Sequence, residues 1–254
     1  MLARNNMKIL KVFKARLSNG ENKEIEFGHP SNLTEMKNMF RFRHESYLRH
    51  GYIRANYFKD GLDLDEYDKN GKAVYFLAKS EGRIIGTVRL IINKILPTEK
   101  DCFDFKESIA MKKISRSRRG EVSRLIVEKF GDDKYFPRHL VMLGLLSCMI
   151  DYAKSHDLEG GYGFIKDKLK KKLEKIKMPL VIIKNFKQKY SKELLYNYFN
   201  DKKDPVWPIY YIVKDAEAYF KKVFDVYFSC RGDNIYEYKG QNIMRNMIFY
   251  LKTK

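Results

Sequence analysis

Five charged residues stand out by type and spacing: Asp65, Asp68, Arg89, Glu121 and Arg124. Asp65 and Asp68 sit in Asp65-Glu66-Tyr67-Asp68, Arg89 in Gly86-Thr87-Val88-Arg89-Leu90, and the last two in Glu121-Val122-Ser123-Arg124. The segments around Arg89 and Glu121 read as strands with a charge set among β-branched neighbours. A charge buried without a partner is costly, so such charges pair or do chemistry. Glu121 could take a proton from an attacking amine, directly or through one water. It could equally form an ion pair with Arg89 or Arg124 inside the sheet. The two arginines could grip a carboxylate in bidentate fashion. That carboxylate would be Asp65 or Asp68, pinning a loop, or the carboxylate of an amino-acid substrate. Arg89 and Arg124 are expected on neighbouring strands, directed to one pocket, with at least one of them free for substrate.

These residues also form an ordered series. Arg43 and Tyr47 lie four apart in Arg41-Phe42-Arg43-His44-Glu45-Ser46-Tyr47. The paired aspartates follow, then Gly-x-x-Arg-Leu, then Glu-x-Ser-Arg. In this order, across residues 33 to 127, the chain resembles the acyl-homoserine-lactone (autoinducer) synthases and, more closely, the long-chain N-acyl amino acid synthases. Both are GNAT-type acyltransferases. The resemblance implies a mixed, mostly antiparallel sheet flanked by helices, and Glu121 as catalytic base. It implies a polar acceptor site drawn from Arg43, Asp65, Asp68, Arg89, Ser123 and Arg124. The reaction it implies moves a fatty acyl chain from acyl carrier protein to the amine of an amino acid, with no covalent enzyme intermediate and no cofactor. The acyl donor would be a phosphopantetheine thioester. A lactone synthase using S-adenosylmethionine is the alternative within the resemblance. Those enzymes usually carry a Trp six residues after the aromatic of the early helix, where this chain has Ile53, and they lack a long C-terminal extension.

The elements that must position these residues can be read from local signals. Residues 8–17 and 23–27 flank Ser18-Asn19-Gly20, a hairpin signature. Ser31 or Asn32 can cap a helix running to about Arg49. Residues 50–72 read as a long loop. Val74–Ala78 and Arg83–Ile92 read as paired strands, residues 97–119 as irregular, and Gly120–Val127 as a further strand. An apolar helix over Arg138–Ser155, a strand over Gly161–Ile165, a basic helix over Asp167–Lys177 and a strand over Pro179–Phe186 complete an α+β layout on one mixed sheet. The expected organisation is one domain, with a core over about 23–186 and an aromatic-rich C-terminal extension over 187–254 packed on it. Apolar residues of the 140–150 helix and the C-terminal aromatics could line an acyl pocket. The resemblance further implies a splayed or bulged central strand near Leu125 to Val127, whose backbone N–H groups would meet an oxyanion.

The 254 residues carry 51 basic and 32 acidic side chains, a net charge of +19. That balance suits an acidic partner. A non-catalytic nucleic-acid-binding protein is the rival from another class, but no nucleic-acid motif is present and charge alone is unspecific, so no nucleic-acid partner is expected. Three widely spaced cysteines show no metal pattern and fit a reducing compartment. The longest apolar stretch, eleven residues from Leu140 to Ile150, is too short to span a bilayer. The expectation is a cytoplasmic protein with no integral membrane segment.

Many GNAT enzymes hold the pyrophosphate of coenzyme A in a Gly-rich loop at a helix N-terminus. In the corresponding place this chain has Lys129-Phe130-Gly131-Asp132-Asp133-Lys134-Tyr135-Phe136-Pro137-Arg138, with a single Gly and two Asp. The departure favours a carrier-bound donor. Lys112, Lys113, Arg116, Arg118 and Arg119 are the expected carrier-docking residues. The Lys-rich stretch from Lys166 to Lys177 is a second basic surface that could serve.

Overall fold

A computed structural model describes residues 7–16, 21–54, 57–58, 60–128, 138–232 and 234–239. Two N-terminal strands, β1 (Lys8–Arg16) and β2 (Asn22–His29), form the expected antiparallel pair; the Asn19-Gly20 turn itself lies outside the described residues. Helix α1 (Leu33–Arg49) opens at Asn32, whose side chain accepts the Glu35 N–H at 2.9 Å, as a cap should. The 50–72 segment is not loop throughout. It contains a short helix, α2 (Glu66–Lys69), closed by a capping box between Asp65 and Asp68. Strands β3 (Ala73–Ser80) and β4 (Arg83–Ile92) come next, joined by the turn at Glu81-Gly82.

The stretch expected to be irregular carries a π-helical turn over Thr98–Cys102, strand β5 (Phe103–Phe105) and a short helix, α3 (Ile109–Lys112). Then come β6 (Arg119–Val127), α4 (Arg138–Ser155), β7 (Gly160–Lys166) and α5 (Asp167–Lys175). The strand expected over Pro179–Phe186 is two strands. One is β8 (Leu180–Ile182) at the edge of the main sheet; the other is β9 (Phe186–Gln188), which pairs with β5 in a separate ribbon. The C-terminal part comprises α6 (Tyr196–Asn200), β10 (Val206–Ile212), α7 (Val213–Tyr227), β11 (Phe228–Cys230) and β12 (Ile235–Tyr238).

The main sheet has ten strands in the order β11-β12-β1-β2-β3-β4-β6-β7-β10-β8. Its pairs are antiparallel except β12–β1 and β6–β7. The aromatic-rich C-terminal part is present, but it does more than pack on a finished core. Strand β10 is inserted between β7 and β8, and β11 and β12 extend the opposite edge, so residue 186 marks no boundary in the sheet. Helices α4 and α7 cover one face. They bury Leu140, Val141, Leu145 and Met149 from α4 and Ala216, Phe220 and Val223 from α7. Helix α1, the 60–69 segment and the β5/β9 ribbon lie toward the other face.

Strand β6 is irregular on both of its edges. Its pairing with β4 slips between Thr87↔Ile126 and Arg89↔Ser123, which places an extra residue at Arg124–Leu125. Arg124 there has φ of 54°, a left-handed value that non-Gly residues seldom adopt. Its parallel pairing with β7 runs from Arg119↔Gly160 to Val122↔Gly163 and stops. Beyond that point β7 remains paired with β10, and the two central strands part.

The closed end of this splay depends on one glycine. A Cβ on Gly161 would sit 1.6 Å from the carbonyl oxygen of Gly120, a backbone atom that cannot rotate away. Gly161→Ala should therefore cost at least the upper end of the ~1–3 kcal/mol typical of overpacking. Thermal melting checks this; Leu33→Ala, at a 76% exposed position, is the control and should leave the midpoint nearly unchanged.

Candidate active site

Residues Leu62 to Asp65 run alongside α1 in an alternating pattern. The two leucines turn toward Met39 and Phe40, and the two aspartates turn away. The Asp63 N–H bonds to the Phe40 carbonyl at 3.1 Å, which fixes the segment to the helix. Asp63 and Asp65 then meet the arginines. Arg43 Nε donates to Asp63 Oδ2 at 2.7 Å, and its two terminal nitrogens donate to both oxygens of Asp68 at 3.3 and 3.1 Å. Arg124 Nε and Nη2 donate to the two oxygens of Asp63 at 2.8 and 3.2 Å, and Nη2 also reaches Asp65 at 3.3 Å. Arg89 Nη1 lies 2.8 Å from Asp65 and 2.9 Å from Asp68, while its Nε donates to Ser123 Oγ at 3.0 Å. Tyr75 adds a hydroxyl donor to Asp68 at 3.0 Å.

The structure thus gathers Arg43, Asp65, Asp68, Arg89, Ser123 and Arg124 in one place. Strand alternation would send Arg124 to the face opposite Ser123 and Glu121. The bulge and the left-handed backbone at Arg124 turn it back toward them. The cluster contains three guanidiniums and three carboxylates and is internally neutral. Arg43, Asp63 and Asp68 have fully buried side chains. Burial alone would raise the Asp63 carboxyl, but Arg124 and Arg43 outweigh it and hold it at about 2. For Asp68, burial is outweighed by Arg43 and Arg89, and the carboxyl stays far below its usual range. The expectation that one of Arg89 and Arg124 stands free is corrected: aspartates engage both. None of these ion pairs uses Nη1 of Arg124, whose guanidinium lies 5.4 Å from the Tyr47 ring centre.

Sequence reasoning missed Asp63, which joins Arg43 to Arg124. Its signal was the alternation Leu62-Asp63-Leu64-Asp65 in an otherwise polar stretch.

Glu121 lies on the same face of β6 as Ser123 and is fully buried. Its Oε2 accepts the Thr98 N–H, at the start of the π-helical turn, at 2.7 Å. Its Oε1 has no hydrogen-bond partner among the described residues, and there Glu121 forms no ion pair with Arg89 or Arg124. Burial pushes its carboxyl up to about 8, against the pull of the Thr98 N–H and the Arg89 charge.

A cavity of about 220 Å³ occupies the gap where β6 leaves β7. Ser123, Arg124 and Lys166 form its polar part, with Tyr47, Tyr52 and Tyr198 on the α1 side of the sheet. The remainder is apolar and passes beneath the sheet among Leu146 and Ile150 of α4, Leu173 of α5, and Ala216 and Phe220 of α7. Lys166 was not singled out in the sequence as a cavity residue. Its Nζ is held by the Asp204 and Tyr198 carbonyls at 2.8 and 2.5 Å.

The expected docking residues divide. Lys112, Lys113, Arg116 and Arg118 are exposed, with Arg116 paired to Glu99 at 3.2 Å and Arg118 to Glu159 at 2.8 Å. Arg119 is buried, bonded to the Met111 and Ile114 carbonyls and to Glu107, so it presents nothing to a partner. Lys112, Lys113, Arg116 and Arg118 precede β6 and Arg119 opens it, at the end where β6 and β7 are still paired. The lysines of α5 lie beside the cavity instead. The Lys129–Pro137 stretch, read as a departure from a pyrophosphate loop, lies outside the described residues.

The sheet thus splays at a bulged central strand and a cavity occupies the split, while the buried Glu121 carboxyl, one residue before Val122, is not among the residues that line that cavity. A family model for the N-acyl amino acid synthase FeeM matches residues 38–168, just over half of the chain, and the chain belongs to that family. It is an acyltransferase. Among solved structures, a CoA-dependent acyl-homoserine lactone synthase, MesI, is similar at 16% identity over 80% of this chain and 91% of that chain, with a TM-score of 0.54. The homoserine lactone synthase LasI is similar at 11% identity over 74% and 89%, TM-score 0.52. FeeM from uncultured soil microbes is similar at 14% identity over 77% and 94%, TM-score 0.50. At these identities the likeness establishes the fold. A comparison with curated protein sequences gives no match. No helix among the described residues is long and apolar enough to cross a membrane.

Removing one partner of a buried ion pair leaves an uncompensated charge, at a cost of about 3–5 kcal/mol. Asp63→Asn should destabilise the protein by that order, because Arg43 and Arg124 both lose their shared carboxylate. Denaturant unfolding of the variant and of Asp60→Asn, at an exposed position, measures the difference.

Proposed function

We propose that the protein is an N-acyl amino acid synthase that takes its acyl group from acyl carrier protein. The observation that carries this reading is the cavity through the splay, polar at β6 and apolar beneath the sheet. The thioester carbonyl would sit at the polar end, its phosphopantetheine arm between β6 and β7 and its acyl tail in the apolar part. The amine nitrogen attacks the carbonyl carbon, the C–S bond breaks, and the thiol leaves with a pKa near ~8.5. Glu121, which is buried beside the cavity and does not line it, would take the proton that the amine gives up through one water. Backbone N–H groups of β6 past Val122, which have no β7 partner, would meet the oxyanion. Ser123 and the Nη1 edge of Arg124, which none of the ion pairs among the described residues takes up, face the acceptor, and that edge suits an amino-acid carboxylate.

Carrier docking rests on charge. Among the α5 lysines, Lys171 pairs with Asp167 at 2.8 Å, yet Lys168, Lys172 and Lys175 add positive charge beside the cavity. An acidic carrier would be drawn to that side. Incubating the purified protein with acyl carrier protein thioesters or acyl-coenzyme A, an amino-acid mixture and S-adenosylmethionine tests the assignment by mass spectrometry. The expected product is an N-acyl amino acid, formed faster from the carrier thioester and more slowly as salt rises, since exposed charges are screened beyond ~8 Å at physiological ionic strength. A homoserine lactone product, or equal salt-insensitive rates from both donors, would overturn it.

Glu121 makes a separate prediction. Glu121→Gln should lower turnover by ~10²–10⁴ in a folded protein, and wild-type kcat/KM should climb as pH rises through about 8, where the carboxyl ionises. Stability should move the other way. The folded carboxyl is raised from its ordinary 4.5 to about 8, so between these values the folded state holds a proton that the unfolded state has lost. Stability therefore falls with rising pH across that window. Replacement by Gln removes this loss, so the melting point of Glu121→Gln should gain on wild type from pH 5 to pH 8. An ion-paired Glu121, its carboxyl held below the ordinary 4.5, would leave the two melting points parallel across that window.

A further inference from the structure

We propose that helix α7 sets the length of the acyl chain, with Ala216 and Phe220 forming the end wall of the cavity; the proposal rests on the acyl-tail reading above. The polar groups of the cavity lie on β6 and β7, so a thioester is fixed at that end. From there the apolar part of the cavity, bounded by Leu146 and Ile150 of α4 and Leu173 of α5, reaches Ala216 and Phe220 of α7 beneath the sheet, and this is the course assigned to the tail. Ala216 and Phe220 are four residues apart, share one face of the helix, and are 5% and 4% exposed. Ala216 is the smallest apolar side chain on the cavity wall. The tail can therefore run as far as the α7 backbone at that point, with the Phe220 ring beside it.

The helix is held rigidly enough to act as a stop. Tyr219 donates its hydroxyl to the Ile176 carbonyl at 3.1 Å, and Phe220, Val223 and Tyr227 are buried against the core. Both wall residues lie beyond residue 168, where the family match ends. The chemistry and the length limit thus come from different stretches of chain, and the limit can change without altering β6.

One methylene too many or too few in an apolar pocket changes discrimination by roughly 10–200-fold. Ala216→Phe should shorten the accepted chain: across a ladder of saturated acyl thioesters of increasing length, the ratio of kcat/KM for long over short chains should fall by about 10-fold or more. Phe220→Ala should shift the optimum to longer chains. Calorimetric binding of free fatty acids of increasing length reads the same wall without turnover, and the same shifts are expected there. Damage to packing alone would lower all lengths in parallel. Length profiles parallel to wild type in both variants and both measurements would overturn the proposal. A wild type that transfers no acyl group, yet whose fatty-acid binding profile shifts in the variants, would overturn the assigned reaction and support the length-setting wall.

Discussion

The shared carboxylate of Asp63, between Arg43 and Arg124, is the interaction on which the rest of the site depends. Each charge in that trio would be very costly to bury by itself, and the full set of three arginines and three aspartates is neutral. The network joins four pieces of chain that are distant in sequence: α1 through Arg43, the 63–68 segment through its aspartates, β4 through Arg89 and β6 through Arg124. A segment that would otherwise be a surface loop is thereby tied down across α1, β4 and β6. The same bonds accompany the left-handed conformation of Arg124, so local backbone strain is offset by ion pairing with Asp63 and Asp65.

The split between β6 and β7 is set by the chain on either side of it. Strands β6 and β7 approach most closely where Gly120 faces Gly161, and Gly163 admits Val122 at the last paired position. Past Val122 the β6 bulge turns its backbone away, while β10 continues to satisfy the other edge of β7 through Val206↔Lys166. The split therefore leaves unpaired backbone on β6 without unravelling β7. The C-terminal chain makes that possible, which is why it cannot be regarded as an addition to a complete sheet.

Much of this was legible in the sequence because its causes are local. Asn32 caps α1, the Glu81-Gly82 turn joins β3 to β4, and the charged positions of β4 and β6 stand out against β-branched neighbours. The bulge near Leu125 was expected from the resemblance and lies one residue earlier. What was not legible depends on distant contacts. Nothing around Val206–Ile212 says that this strand will enter between two others. Arg119 reads as one more exposed cation in a basic run, and only the fold shows three acceptors enclosing it. The π-helical turn at Thr98 and the separation of β8 from β9 likewise arise from packing against β6 and β5, which no window of sequence contains.

The neutrality of the cluster also explains the state of Glu121. Arg89 is close enough to influence that carboxyl, and as its partner would hold it well below the ordinary range, where a carboxylate is a weak proton acceptor. Asp65 and Asp68 occupy Arg89 instead, and Asp63 occupies Arg124. Glu121 keeps a single backbone donor, from Thr98, and burial decides its proton affinity. The aspartates thus act on the proposed base at one remove, by withholding its counterions. A carboxyl poised near 8 can receive a proton from an amine once it has ionised. The same carboxyl paired with arginine would be a structural anion. The difference between those two roles lies in Asp63, Asp65 and Asp68, a whole strand away from the residue they control.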